Sequence, residues 1–93
     1  MLPLKIRILE YIIEKSAPVT TDELMKALKA EYGGERQFTK KRVESYLGQL
    51  LGVGFLEAES MKMGKNNELE IAYKITDYGL SRERFIPGHE KEK

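Results

Sequence analysis

The sequence predicts a small α+β domain in which three helices precede a two-stranded antiparallel hairpin and a short final helix. Two helix starts built alike, at Thr20 and Thr39, and a glycine stop at Gly54 are the first signs. The third is a change of apolar period, from helical before Gly54 to strictly alternating after it. Ninety-three residues leave room for one core. Residues 1–86 are expected to form it, and 87–93 to be a polar tail.

Pro3 can open the first helix, because its missing N–H would be unpaired in a first turn anyway. Leu4, Ile8 and Ile12 then recur at helical spacing, and Leu2, Ile6, Leu9 and Ile13 form a second apolar row. A helix apolar on two sides is covered on two sides. It should end near Ser16, before Ala17-Pro18. In the second helix Thr20 is placed to cap the Glu23 N–H, with the Glu23 carboxylate returning a bond and Val19 and Leu24 as the hydrophobic staple. That helix should bury Leu24, Met25 and Leu28 and stop around Tyr32, ahead of Gly33-Gly34.

The third helix opens on Thr39, stapled by Phe38 and Val43, and carries the stripe Val43, Tyr46, Leu47, Leu50, Leu51. Gly54 is its left-handed stop, with Phe55 folding back on Leu50. From Phe55 to Met63, and again through Leu69, Ile71, Tyr73 and Ile75, the pattern is that of strands. Gly64-Lys65-Asn66-Asn67 between them is turn chemistry, since Gly and Asn tolerate positive φ. Thr76 should cap a fourth helix running to about Arg84.

Composition removes several function classes. Without Cys there are no disulfides or thiolate metal sites, and His89 alone cannot make a histidine cluster. No nucleophile–base pair and no glycine-rich phosphate loop stand out, so an enzyme is not expected and no cofactor is implied. Lys5, Arg7 and Glu10 interrupt the apolar N-terminal stretch, against a signal peptide or a bilayer span, and the expected location is cytoplasmic. Two Gln and two Asn against abundant Lys and Glu lean toward a thermophilic source. The net charge is only +1, so attraction to a polyanion must come from where the charges sit.

Pro18-Val19-Thr20 followed by Asp22-Glu23-Leu24 resembles the entry to the second helix of winged helix-turn-helix regulators, and Leu47, Leu50, Leu51 followed by Gly54-Phe55-Leu56 the end of their recognition helix. Tyr73-Lys74-Ile75-Thr76-Asp77-Tyr78-Gly79 resembles the close of their wing. Together these cover roughly residues 4–80 and are similar to the MarR, PadR and ArsR group and to small winged-helix proteins of archaea and their viruses. The Gly33-to-Phe38 connection is longer than is usual there, and no segment reads as the long terminal helix through which MarR-like and PadR-like proteins dimerise.

The resemblance implies double-stranded DNA binding by a small transcriptional regulator, with the third helix in the major groove and the hairpin tip on the backbone. Opposite the apolar stripe, that helix carries Lys41, Arg42, Ser45, Gly48 and Gln49. Arg42 can bridge the two acceptors of guanine, Gln49 can pair with adenine, and Ser45 suits either. Arg36, Lys40, Lys41 and Arg42, with Thr39 at the cap, gather where phosphate meets free N–H groups. The same cluster can be an ordinary solvated helix start, yet cations there oppose the macrodipole. Lys62, Lys65, Asn66 and Asn67 supply donors near the wing tip, or simply a good turn, with Glu57, Glu59, Glu68 and Glu70 expected nearer the hairpin base. Mid-helix Gly48 costs about 1 kcal/mol relative to Ala, which close approach to DNA or crowding by another helix would explain.

The five tyrosines read as core filling before base stacking, and Met61 and Met63 as hairpin packing. A homodimer is expected through Leu2, Ile6, Leu9, Ile13 and Phe85, unless Leu80, Phe85 and Ile86 cover that row within one chain. The alternative function is a winged-helix protein–protein module in a transcription, repair or sorting complex.

Overall fold

In the computed structural model, which describes residues 2–83, Ile86 and Gly88, and Lys65 by its backbone alone, the first helix, α1, spans Leu4–Lys15. Pro3 sits just outside it in extended geometry, and its carbonyl accepts from the Arg7 N–H at 3.0 Å. Ser16 ends the helix in the left-handed region (φ 55°). Both apolar rows turn inward: Ile8 and Ile12 are fully covered, and Leu9 and Ile13 nearly so. Helix α1 is thus a central strut of the core.

Val19–Thr20 forms a short strand, β1, and α2 (Thr21–Ala27) follows directly. Thr20 Oγ1 accepts from the Glu23 N–H at 3.2 Å, as the sequence predicts. The Glu23 carboxylate does not return to Thr20. It accepts from the Tyr11 hydroxyl at 2.8 Å and pairs with Lys15 at 2.8 Å, so half of the expected box is spent on clasping α2 to α1. A charged partner competes better for a carboxylate than a neutral N–H does.

The single second helix expected up to Tyr32 is broken at Leu28 (φ −98°, ψ 1°), and α3 (Lys29–Tyr32) continues on a new axis. Leu28 and Tyr32 are both buried, and Glu31 reaches Arg7 in a two-pronged pair at 3.0 and 3.1 Å. The Tyr32 hydroxyl donates to the Leu2 carbonyl.

Helix α4 (Lys40–Gly52) begins at Thr39, whose hydroxyl accepts from the Arg42 N–H at 3.1 Å. Val43, Leu47 and Leu50 are buried, Tyr46 is half-buried and Leu51 lies 39% exposed, so the stripe is narrower than expected. Gly54 adopts φ 87°, and the Phe55 N–H returns to the Leu50 carbonyl at 3.0 Å.

Strands β2 (Leu56–Met63) and β3 (Leu69–Ile75) pair antiparallel, with a bulge between Ala58 and Ser60. Their turn is a short 3-10 segment, Lys65–Asn67, in which Asn66 and Asn67 take positive φ. The sheet has three strands, not two: β1 pairs with β3 through Val19↔Tyr73 and Thr20↔Ala72, in the order β1-β3-β2. This is the winged helix-turn-helix arrangement, with the wing rooted on the α1–α2 connection.

At the wing's close, α5 (Asp77–Ser81) starts from Thr76, whose hydroxyl accepts from the Gly79 N–H at 2.9 Å and donates to the Gly54 carbonyl at 2.6 Å. A Cβ on Gly79 would run into the Phe55 carbonyl oxygen. Thr76 and Gly79 therefore lock the end of α4 to the end of β3. The helix stops at Ser81, earlier than expected, while Arg84 lies outside the described residues. Ile86 is 3% exposed within the core.

Candidate nucleic-acid interface

Because α4 gives its Val43, Leu47 and Leu50 side to the core, its opposite side necessarily faces out. Lys41, Arg42, Ser45, Gly48 and Gln49 are all exposed there. Neither Lys41 nor Arg42 has an ion-pair partner among the described residues, and the same holds for Arg36 in the preceding loop. The first turn of α4 contains no acid. Lys41 and Arg42 oppose the helix dipole with no acid in that turn to offset them.

The two flanks of this face differ. On one, Lys40 lies 3.6 Å from Asp22 of α2 and 3.4 Å from Glu68 of the wing. Asp22, then Glu68, hold the Lys40 ammonium above its ordinary pKa. Asp22, Lys40, Glu44, Lys62, Glu68 and Glu70 line an open cleft between the start of α4 and the wing. Acids outnumber cations in it, and Lys62 is itself paired with Glu70 at 3.8 Å. On the other flank the Lys5 ammonium of α1 donates to Gln49 Oε1 at 2.8 Å. Arg42 precedes Gln49 by two turns and so projects from the same side of α4.

The eleven residues predicted for DNA contact thus divide. Lys41, Arg42, Ser45 and Gln49 share one exposed helix face, with Thr39 at its N-cap and Arg36 in the loop leading to it. Lys40 and Lys62 are drawn into the acidic cleft. Asn66 and Asn67 are exposed at the wing tip, and the side chain of Lys65 lies outside the described residues. Glu68 and Glu70 are not at the hairpin base as expected. They follow the tip directly, Gly64 donating to the Glu68 carbonyl at 2.7 Å. Lys74 at the base is bracketed by Glu57 (3.5 Å) and Glu59 (3.2 Å).

Lys5 was not among the predicted residues. Its signal was available only in three dimensions, because α1 and α4 are separated by the whole second helical unit. Gly48 answers the choice left by the sequence: a Cβ there would meet nothing within 4 Å, so no neighbouring helix demands its absence. Met61 and Met63 stand opposite Ile71 and Leu69 across the hairpin, yet remain 63% and 62% exposed, with Leu69 at 58%. Of the expected dimer row, Leu9 and Ile13 are buried in the chain's own core, Leu2 and Ile6 are half-covered, and Phe85 lies outside the described residues. Among the described residues no group of acidic or histidine side chains is arranged to hold a metal ion, and no helix is long and apolar enough to cross a membrane.

No family model matches this chain, and no curated relative does. Its architecture is similar to the crystal structure of a Thermoplasma acidophilum protein named as a transcriptional regulator. The two align with a TM-score of 0.65 at 21% identity, over 92% of this chain and 75% of that one. Such a likeness establishes a shared fold.

Proposed function

We propose that this chain is a small transcriptional regulator that binds double-stranded DNA through the exposed face of α4. The observation that carries the proposal is the pair Lys41 and Arg42. They stand with no ion-pair partner among the described residues at the start of the exposed face, beside Ser45 and Gln49, while wing lysine Lys62 and cleft lysine Lys40 are ion-paired. Such a face suits the major groove, with Arg42 on a guanine edge and Lys41 and Arg36 on phosphate. Asn66 and Asn67 at the wing tip are placed to reach the backbone. The shared fold with a protein named as a transcriptional regulator supports the same reading, as do the motifs similar to those of MarR, PadR and ArsR regulators.

Recognition of a pseudo-palindrome would place two copies about one DNA turn apart. The contact between copies would use Leu2, Ile6 and Phe85, without Leu9 and Ile13. Sedimentation equilibrium tests it, a monomer at micromolar concentration being the contrary result.

The acid-lined cleft favours a second reading, in which the wing docks a protein partner. Duplex binding measured against salt separates the two. Affinity that falls steeply with salt, with a shallower slope in Arg42→Ala, supports the DNA reading. Absence of duplex binding at low salt, together with a stable protein complex, supports the other.

A further inference from the structure

We infer that Lys5 and Gln49 form a two-residue reading unit for a guanine in the major groove, with Lys5, on the first helix, setting its specificity. This rests on the DNA-binding proposal and adds to it the identity of a base and the residue that selects it.

The chemistry of the pair leads there. A lysine ammonium only donates, so the Gln49 atom 2.8 Å from it must be the amide oxygen. With that oxygen engaged, the amide nitrogen has no hydrogen-bond partner among the described residues. The ammonium keeps N–H groups beyond the one given to Gln49. Gln49 is exposed and Lys5 half-buried, their bond lying at the surface, and Gly48 beside Gln49 leaves the neighbouring surface open. The unit therefore offers mainly donors, its one acceptor oxygen being already engaged by an ammonium on one of its two lone pairs.

A free glutamine reads adenine by donating to N7 and accepting from the N6 amino group. Here the accepting half is occupied by Lys5, and an approaching amino group would meet a second donor. Guanine instead shows two acceptors, N7 and O6, on the same edge. The preference expected for Gln49 alone, adenine, is thus converted to guanine by a residue 44 positions earlier in the chain.

The test selects bound sites from a random pool of duplexes with the wild-type protein. One invariant guanine in each site is then replaced by 7-deazaguanine, which removes only the N7 acceptor. Wild type should lose about tenfold in affinity at one such position, while Lys5→Met and Gln49→Leu, each left with a single donor there, should lose clearly less and should melt near wild type. Lys5→Met should in addition accept adenine at that position, since the amide oxygen is freed. Equal sensitivity to 7-deazaguanine in wild type and both variants overturns the inference, as does a uniform loss of affinity with an unchanged sequence preference, which would mark a phosphate contact. Both of those results leave DNA binding standing. A wild-type protein that retains no duplex at low salt overturns the DNA proposal itself, and this inference with it.

Discussion

Along the flank of α4 that faces α1, Arg42 and Gln49 stand with Lys5, and no carboxylate pairs with these cations among the described residues. Along the flank that faces the wing, Lys40 and Glu44 stand with Asp22, Glu68 and Glu70. Both flanks are rich in long polar side chains, and one helix supplies both. What separates them is the third element each one meets. The wing brings acids, and α1 brings an ammonium. A nearly neutral chain (net charge +1) can in this way present one cationic edge to a polyanion and keep a neighbouring edge acidic.

The largest expected effect tests that division. Removing both Lys41 and Arg42 by alanine should weaken duplex binding on the order of tenfold or more. Removing Lys40 and Lys62 should change it about threefold or less, because their charge is already shared with carboxylates. Equal losses in the two double variants, measured by fluorescence anisotropy at one salt concentration, would erase the difference between the flanks.

Gly48, between the flanks, separates folding from binding. With nothing within 4 Å of an added Cβ, Gly48→Ala should stabilise α4 by about 1 kcal/mol and raise the melting temperature by roughly 4–8 °C. If duplex DNA approaches this face closely, the same variant should bind several-fold more weakly. Gain of stability with unchanged affinity would place the contact elsewhere.

A smaller effect comes from the cleft. Glu68→Gln should release part of the Lys40 charge and raise affinity about two- to threefold at low salt, the gain fading as salt screens it. A drop would show that the wing carboxylate organises the site.

The smallest effect concerns the clasp behind α1. Lys15 holds the Glu23 carboxyl below its ordinary value of 4.5, helped by the Tyr11 hydroxyl. A carboxylate with a depressed folded pKa adds stability that is present above the unfolded value and lost as pH falls through the folded one. Melting temperature should therefore decline below about pH 4.5, and Glu23→Gln should flatten that decline while leaving the neutral-pH value slightly lower. An unchanged acid profile in the variant would assign the decline to other carboxylates.

Much of this fold was legible in the residues. The caps at Thr20, Thr39 and Thr76 and the stop at Gly54 are local devices, written within four or five positions, and each forms the predicted bond. The failures share a cause. Leu28-Lys29-Ala30 are good helix formers, so nothing in them marks the break at Leu28, next to which Tyr32 is buried and Glu31 pairs with Arg7. Val19-Thr20 is too short to read as a strand until β3 lies beside it. Glu23 had an N–H at hand in sequence and two better partners in space. The candidate site follows the same rule. Its face on α4 could be drawn from helical spacing, but which cations stay free depends on Asp22, Glu68 and Lys5, brought together only by tertiary packing.

The division between the flanks is most directly tested by titrating the labelled protein with a short duplex and following each backbone amide by NMR. Shifts should concentrate at Lys5 and along residues 41–49, with smaller ones at Asn66 and Asn67 and none at Asp22, Lys62 or Glu70. Shifts centred on the wing cleft, with the α1 side of α4 silent, would contradict that division.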